Sequence, residues 1–367
     1  MWVQDLAIHN FRNIERADLR CGSLWNVIFG RNAQGKTNIL EAVYFLTTLR
    51  SFRTKNANDL LRSGADSFLL KALILTGNLP CRLKAGYEGG KKKIFLNEES
   101  LTTLEKVIGV FPIVLATGRN IDLVGQPPAV LRRFLDGQLS QSIPDYLKTL
   151  LQYEKVLRSR NLLIKQNSPS ARRQLKVWTE KLTGLGARIF DLRRKAVKRL
   201  GIFARLNLKR ITEEKEELEV RYITQAEGES EEAFSRSFEK KMMESASRER
   251  DRGFTLVGPH RDHLVFLING LPAHKFASTG QRKSIGFALK MAEAENIRSF
   301  CRTEPVMLLD EIFNEVDEAR RKNIYALIPR DRQVFCTTAE REILKEIEKA
   351  GKKLSLFRVT QGEVETL

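Results

Sequence analysis

Cysteine is scarce: the four residues Cys21, Cys81, Cys301 and Cys336 lie far apart with no CxxC pair, which argues against both a disulfide framework and a cysteine zinc site. They read as reduced thiols, mostly buried. No stretch approaches the roughly 18 uninterrupted apolar residues that a membrane span needs. The start, Met1-Trp2-Val3-Gln4-Asp5, has neither the basic opening nor the apolar run of a signal peptide. A cytosolic protein with no membrane partner is expected. Acid is also in short supply, with 45 Asp and Glu against 63 Lys and Arg, a formal charge of +18. Such an excess calls for a polyanionic partner, because Lys and Arg gain free energy by displacing counterions condensed on nucleic acid. The plainer alternative is charge for solubility. The distribution favours the first: residues 151 to 210 carry 17 Lys and Arg against 3 Asp and Glu, hence +14 of the +18.

A hydrophobic content of 42% over 367 residues can build the core of one large domain or two ordinary ones. The chain opens with short strands, Val3 to His9 and Leu24 to Phe29, and the second runs into Gly30. A helical pattern starts at Lys36 and continues through Leu40, Val43, Tyr44 and Leu46. Residues 68 to 97 alternate as antiparallel strands around Gly89-Gly90, a side sheet to the core. After Pro144 the texture becomes long helices, broken at Asn167-Ser168-Pro169-Ser170. In the second helix Leu175, Leu182, Ile189, Ala196 and Phe203 recur every seven residues, with Trp178, Leu185 and Leu192 in the other seam position. An antiparallel hairpin arm and a pair of ordinary core helices both fit this pattern, and Trp178 reads as core rather than as a base-stacking platform. A strand (Leu218 to Ile223), a charged helix (Glu231 to Arg248) and a hairpin at Ile268-Asn269-Gly270 follow. A helix from Gln281, a buried strand Val306 to Leu309, a helix near Asp317 to Leu327 and a strand Gln333 to Thr337 complete an α/β core that the helices interrupt.

Gly30-Arg31-Asn32-Ala33-Gln34-Gly35-Lys36-Thr37 fits GxxxxGK[ST] between an apolar strand and a helix start. In such a P-loop, backbone N–H groups at a helix N-terminus wrap the phosphates of ATP, Lys36 reaches the β and γ phosphates, and Thr37 holds Mg2+ through its hydroxyl. The strand Pro305 to Leu309 ends in Asp310-Glu311. Asp310 is placed to hold Mg2+, and Glu311 to orient and deprotonate the attacking water, which favours hydrolysis over transfer to a hydroxyl. Ser278-Thr279-Gly280-Gln281 opens a helix about 30 residues before this acid pair. That spacing is that of the signature motif of ABC-type ATPases. His260 and His263 lack a third partner for a metal site.

The sequence resembles the RecF family of bacterial recombination mediators over nearly its whole length. The resemblance rests on Asn10-Phe11-Arg12-Asn13, the extended P-loop Gly30 to Ala42, Leu61-Arg62-Ser63-Gly64, Arg132-Arg133-Phe134-Leu135-Asp136, Tyr153 to Leu163, and Gly258-Pro259-His260-Arg261-Asp262. It implies an α/β fold: an ABC-type P-loop ATPase head, formed by residues 1–145 and 255–367, with a short helical arm lobe at 146–254. It further implies an ATP-dependent homodimer in which Ser278, Gly280 and Gln281 of one copy cover the phosphates held by the other. Asp317 would face the dimer partner, and Thr337 would take the switch position that is His in transporters. The family's role implies single-stranded and gapped DNA, RecR and RecA as partners, with weak DNA-dependent ATPase activity, replication restart and SOS induction as outputs.

Departures from the family pattern are Ala116-Thr117-Gly118-Arg119-Asn120, where an acidic run is usual, and His263 after the GPHRD motif; the Q-loop glutamine is unassigned, the context of Gln126 not matching. Arg261 and Asp262 suit an ion pair or a dimer contact. With no helix-turn-helix or aromatic RNP pattern, DNA binding should follow structure rather than sequence, and Arg193, Arg194, Lys195, Lys198 and Arg199 are the candidate phosphate contacts. The competing classes are an ABC transporter subunit, a purely structural SMC-like clamp, and a DNA-binding protein with a vestigial ATP site.

Overall fold

Short apolar runs with both faces covered make the centre of the molecule. The computed structural model describes every residue except Asn78, Thr102, Leu104, Glu105, Arg119, Asn167, Asn314 and Glu315. The chain begins with a hairpin, β1 (Trp2–Phe11) and β2 (Ile14–Arg20), followed by β3 (Trp25–Phe29) and α1 (Lys36–Thr48). Next come β4 (Ser67–Thr76), β5 (Leu79–Glu88), β6 (Lys91–Leu96), β7 (Glu99–Ser100) and β8 (Ile113–Thr117). The helices α2 (Pro128–Ser142), α3 (Pro144–Gln166) and α4 (Pro169–Ile211) each start on a proline, whose fixed φ and missing N–H suit a first turn. Then follow β9 (Leu218–Ile223), α5 (Glu231–Arg252), β10 (His263–Ile268), β11 (Leu271–Pro272), α6 (Ala273–Phe276) and α7 (Thr279–Cys301). The last elements are β12 (Val306–Asp310), α8 (Glu318–Leu327), β13 (Val334–Thr338), α9 (Arg341–Lys349), β14 (Leu354–Thr360) and β15 (Glu363–Thr366).

The central sheet has the order β15-β14-β3-β13-β12-β8, parallel except for β15. Alternate residues of its strands enter two different cores: Val27, Ala116, Leu309 and Cys336 face one, and Ile28, Leu115, Leu308 and Phe335 face the other. That period of two, apolar on both sides, is the signature of a sheet covered on both faces. The side sheet, order β2-β1-β4-β5-β6-β7, is antiparallel and also takes in β1 and β2, beyond the 68–97 segment expected to form it. Helix α1 lies between the two sheets, and its Phe45 packs against Phe11 and edge-on to Phe68. Strands β9, β10 and β11 make a third sheet. Among the described residues no helix is long and apolar enough to cross a membrane.

Helix α4 has 43 residues, about 65 Å at 1.5 Å per residue. Its N-terminal half pairs with α3 as the arm reading expects, Arg160 of α3 donating to Thr179 of α4 at 3.0 Å. Its C-terminal half is a core helix: Asn296 of α7 donates to the Ala196 carbonyl and Asn207 to that of Ala288. The seven-residue seam therefore does not persist. Leu182, Ile189 and Ala196 are buried, but beyond them Phe203 is only half-buried, and Leu200, Ala204, Leu208 and Ile211 carry the stripe. A straight helix drifts about 20° per heptad, and here it turns from the hairpin partner toward α7. Trp178 is half-buried against the core, with Lys181 over its ring. Asn167, in the expected break between the helices, lies outside the described residues.

Arg193 corrects the charge-based expectation. It is 2% exposed, so it is not available to DNA. Its guanidinium donates to Asp136 Oδ1 and to the Pro259 carbonyl, both at 2.7 Å, and to the Tyr146 hydroxyl at 3.0 Å, joining α4 to α2, α3 and the Pro259–Arg261 turn. Removing one partner of such a buried pair strands the other. Arg193→Ala is expected to lower stability by about 3–5 kcal/mol, with Arg193→Lys recovering only part because it lacks the planar fork. Guanidinium unfolding measures this; an unchanged midpoint would refute the anchoring role.

Candidate nucleotide site

One transverse row of the central sheet sets the site. Phe357, Ile28, Thr337, Asp310 and Thr117 lie side by side on five neighbouring strands, so the loops that follow these strands emerge at one edge. From β3 the chain turns at Gly30, where a Cβ would sit 2.4 Å from the Val359 carbonyl oxygen, and reaches α1 through Gly35 at φ 117°. The turn between β1 and β2 braces the loop: Asn13 donates to the Gln34 carbonyl at 2.9 Å and accepts from the Asn38 side chain at 2.7 Å. The turn between β14 and β15 braces it from the other side, the Gly362 N–H donating to the same carbonyl and the Gln361 N–H to Gln34 Oε1. Arg12, beside Asn13, makes a two-pronged pair at 2.8 Å with the fully buried Glu41 of α1. In the sequence Asn10-Phe11-Arg12-Asn13 is only a family motif, and nothing local marks Arg12 and Asn13 as braces of the loop and of α1.

Lys36 is 3% exposed and donates to the Gly30 and Arg31 carbonyls at 2.9 and 3.0 Å and to Asn32 Oδ1 at 3.2 Å. It also pairs with Glu311 at 2.9 Å. Thr37 Oγ1 donates to Asp310 Oδ1 at 2.9 Å, and Thr337 Oγ1 donates to the same oxygen at 2.8 Å. Glu311 has a φ of 51°, a left-handed conformation that costs a residue with a Cβ about 1–2 kcal/mol; its N–H donates to Thr337 Oγ1 at 3.0 Å. Burial, with Glu311 adding to it, pushes the Asp310 carboxyl above its ordinary range. A carboxylate made costly by desolvation beside a threonine hydroxyl is a hard-oxygen donor set that a small divalent cation such as Mg2+ fits. A cleft of about 1260 Å3 opens beside these groups, lined among others by Thr37, Arg53, Gln126, Arg133, Asp310 and Glu311.

The P-loop, Asp310, Glu311 and Thr337 thus converge, whereas the signature loop does not join them. Ser278 caps α7 in a capping box with Gln281, and Ser278, Thr279 and Gly280 are exposed. Arg282, one residue beyond the loop, pairs at 2.6 Å with Asp122 of the cleft wall, and Arg320 donates to the Gly280 carbonyl at 3.2 Å. Asp317 caps α8 and is exposed.

Of the five basic residues named as phosphate contacts, Arg193 is buried, while Arg194 and Lys195 share Asp191 as ion-pair partner. Lys198 is exposed, and the exposed Arg199 lies over the Phe300 ring at 5.0 Å. The densest charge run is thus partly engaged within the fold, whereas the exposed cations Lys155, Lys165, Arg173, Lys176 and Lys181 stand on the paired halves of α3 and α4.

Gly258, Pro259 and Asp262 of the Gly258 to Asp262 motif are buried around Arg193, His260 is half-buried, and Arg261 is exposed. The His260 ring is engaged on both sides, by the Tyr153 hydroxyl at 2.7 Å and the Thr255 carbonyl at 3.2 Å. Asp262 accepts from Tyr222 and pairs with Arg193 at 3.9 Å, the ion-pair alternative of the two expected for it. Arg261 lies over the Phe254 ring, and Arg132 donates to the Asp262 carbonyl at 2.7 Å. Of the departing segment, Ala116 and Thr117 end β8, Asn120 accepts from the Thr117 N–H, and Arg119 lies outside the described residues. His263 begins β10.

The family model described as RecF/RecN/SMC N terminal domain matches residues 2–364. The chain is 31% identical over 373 residues to the DNA replication and repair protein RecF of Geotalea daltonii, covering 99% of this chain and all of that one. It is 32% identical over 365 residues to the RecF of Streptococcus pneumoniae, covering 99% and 98%. The solved structure of the recombination mediator protein RecF-ATPrS in the RecFOR pathway superposes with a TM-score of 0.89 at 28% identity, covering 100% of this chain and 98% of the other. An Smc head bound to the C-winged helix domain of ScpA shares the fold at a TM-score of 0.57 and 13% identity, covering 100% and 97%.

Burial pushes His260 down to about 4, so the ring is neutral in the fold while the unfolded chain protonates near 6.5. Its contribution to stability is complete above pH 6.5 and declines as pH falls toward 4. Between pH 7 and 5 the wild type should lose about 2 kcal/mol more than His260→Gln. Urea unfolding at the two pH values checks this; parallel losses would remove His260 as the cause.

Proposed function

The chain belongs to the RecF family, and on that premise we propose that it is a DNA-repair and recombination ATPase that closes as an ATP-dependent homodimer on DNA. One observation carries the proposal. The P-loop and the acid pair converge in one copy while the signature loop of the same copy faces solvent, so a second copy supplies the missing wall.

In this reading Gly30, Arg31, Asn32, Ala33, Gln34 and Gly35 present backbone N–H groups to the phosphates, and Lys36 exchanges its carbonyl contacts for the β and γ phosphates. Thr37 and Asp310 would hold Mg2+, which would supply positive charge against the phosphate oxygens. Glu311, released from Lys36, takes a proton from the attacking water. Ser278, Gly280 and Gln281 of the partner copy cover the γ-phosphate from a helix N-terminus. Hydrolysis opens the dimer. Residues 1–145 and 255–367 act as the head, and 146–254 as the lobe that touches DNA. The exposed cations of the α3–α4 hairpin, with Lys198 and Arg199, contact the phosphates of single-stranded and gapped duplex DNA without reading bases. The relatives' names point to replication and repair and to the RecFOR pathway; in this reading RecR, and through it RecA, are the protein partners in a cytosolic setting, and replication restart and SOS induction are the downstream outputs.

Lys36→Met should abolish ATP-dependent dimerisation, and Glu311→Gln should keep ATP bound and the dimer closed, both read by light scattering beside ATP turnover with and without duplex DNA. Hydrolysis at the wild-type rate in Glu311→Gln would show that Glu311 is not the base. For six to ten phosphate contacts, DNA affinity should fall by about 10³ to 10⁵ between 50 and 200 mM salt. The combined substitution Lys165→Ala, Arg173→Ala and Lys176→Ala should reduce the slope of log affinity on log salt by about 2 to 3. A slope unchanged by these three would move the DNA off the hairpin.

A further inference from the structure

Thr337 sits level with Asp310 across the parallel pair β12 and β13 and is 1% exposed. Its hydroxyl donates to Asp310 Oδ1 at 2.8 Å and accepts the Glu311 N–H at 3.0 Å. A hydroxyl has one proton and two lone pairs, so both bonds form together and fix its rotor. The same Asp310 oxygen receives the Thr37 hydroxyl at 2.9 Å. Two acids adjacent in sequence and one P-loop hydroxyl are thereby referred to a single atom.

We infer that Thr337 is a positioning residue for hydrolysis, which acts through the acid pair rather than on the nucleotide; this rests on the ATPase reading above. Donation to Asp310 fixes the carboxylate beside Thr37. Acceptance from Glu311 holds the left-handed turn at φ 51° that carries its side chain to the P-loop, 2.9 Å from Lys36. Buried at this depth, the hydroxyl reaches a phosphate only by giving up both bonds. Valine preserves the β-branched shape of a buried strand residue and supplies neither bond, whereas serine supplies both.

The test uses the full-length chain as wild type, Thr337→Val, Thr337→Ser and Lys36→Met. Steady-state ATP hydrolysis is measured beside binding of a fluorescent non-hydrolysable ATP analogue over a Mg2+ titration. Thr337→Val is expected to bind the analogue without Mg2+ as the wild type does. It should need about 10- to 100-fold more Mg2+ for the metal-dependent gain in binding and lose kcat over a similar range with KM little changed, as for groups that orient metal ligands. Thr337→Ser should restore most of both. If valine unfolds the chain at the assay temperature, Thr337→Ala takes its place. A wild-type kcat and Mg2+ requirement in the hydroxyl-less variant, serine as impaired as valine, or outright loss of Mg2+-free binding would each overturn the inference. Lys36→Met separates the two levels. Analogue binding by Lys36→Met equal to wild type overturns the ATPase reading and the Thr337 role with it. Loss of binding there, with wild-type behaviour in Thr337→Val, removes the Thr337 role alone.

Discussion

The register of the central sheet is the constraint on which the site depends. Ile28, Thr337, Asp310 and Thr117 are held in one row by backbone hydrogen bonds between parallel strands. A slip of one residue in β12 would turn Asp310 to the other face and drive Leu309 out of its core. Because both faces of these strands are packed, each by a separate hydrophobic cluster, such a slip has no alternative low-energy packing. The Asp310 carboxylate and the Thr337 hydroxyl inherit their distance from that register, and Lys36 and Thr37 meet the acid pair from the start of α1.

The helical lobe is joined to this sheet by a second kind of constraint. Arg193 gathers Asp136, Tyr146, Pro259 and Asp262 around one guanidinium, and Arg132 closes the ring at the Asp262 carbonyl. The Arg132 to Asp136 and Gly258 to Asp262 segments, separate in sequence, are two sides of one polar joint. Apolar surfaces alone would let α4 slide against α7. A planar fork with five donors admits one geometry, so the joint sets the pose of the lobe as well as holding it.

What was legible in the sequence was whatever carries its own spacing. GxxxxGK[ST] between a strand and a helix placed the start of α1 at Lys36, and the period-two strand Leu218–Ile223 has the bounds read for it. Interactions between distant segments were not legible. Arg193 sits in a run of cations and is indistinguishable from its neighbours until Asp136, 57 residues earlier, is brought to it. The heptad spacing of α4 was real in its first half, but period alone does not say when a helix exchanges one partner for another. The bracing of Gln34 by Asn13 and Gly362 joins residues from both ends of the sequence, and no local pattern marks it.

That bracing has a consequence for the life of the molecule before it is complete. Strand β3, which delivers the P-loop, is flanked in the sheet by β13 and β14, made of residues 334–338 and 354–360, and the loop's last brace is at Gln361 and Gly362. A ribosome makes residues 30–37 some three hundred residues before the strands and turn that support them. During that interval a nascent chain has the motif without the cradle. The cradle is therefore formed only after residues 334–362 have been made and have paired with β3 and Gln34, contacts of long sequence separation that close late.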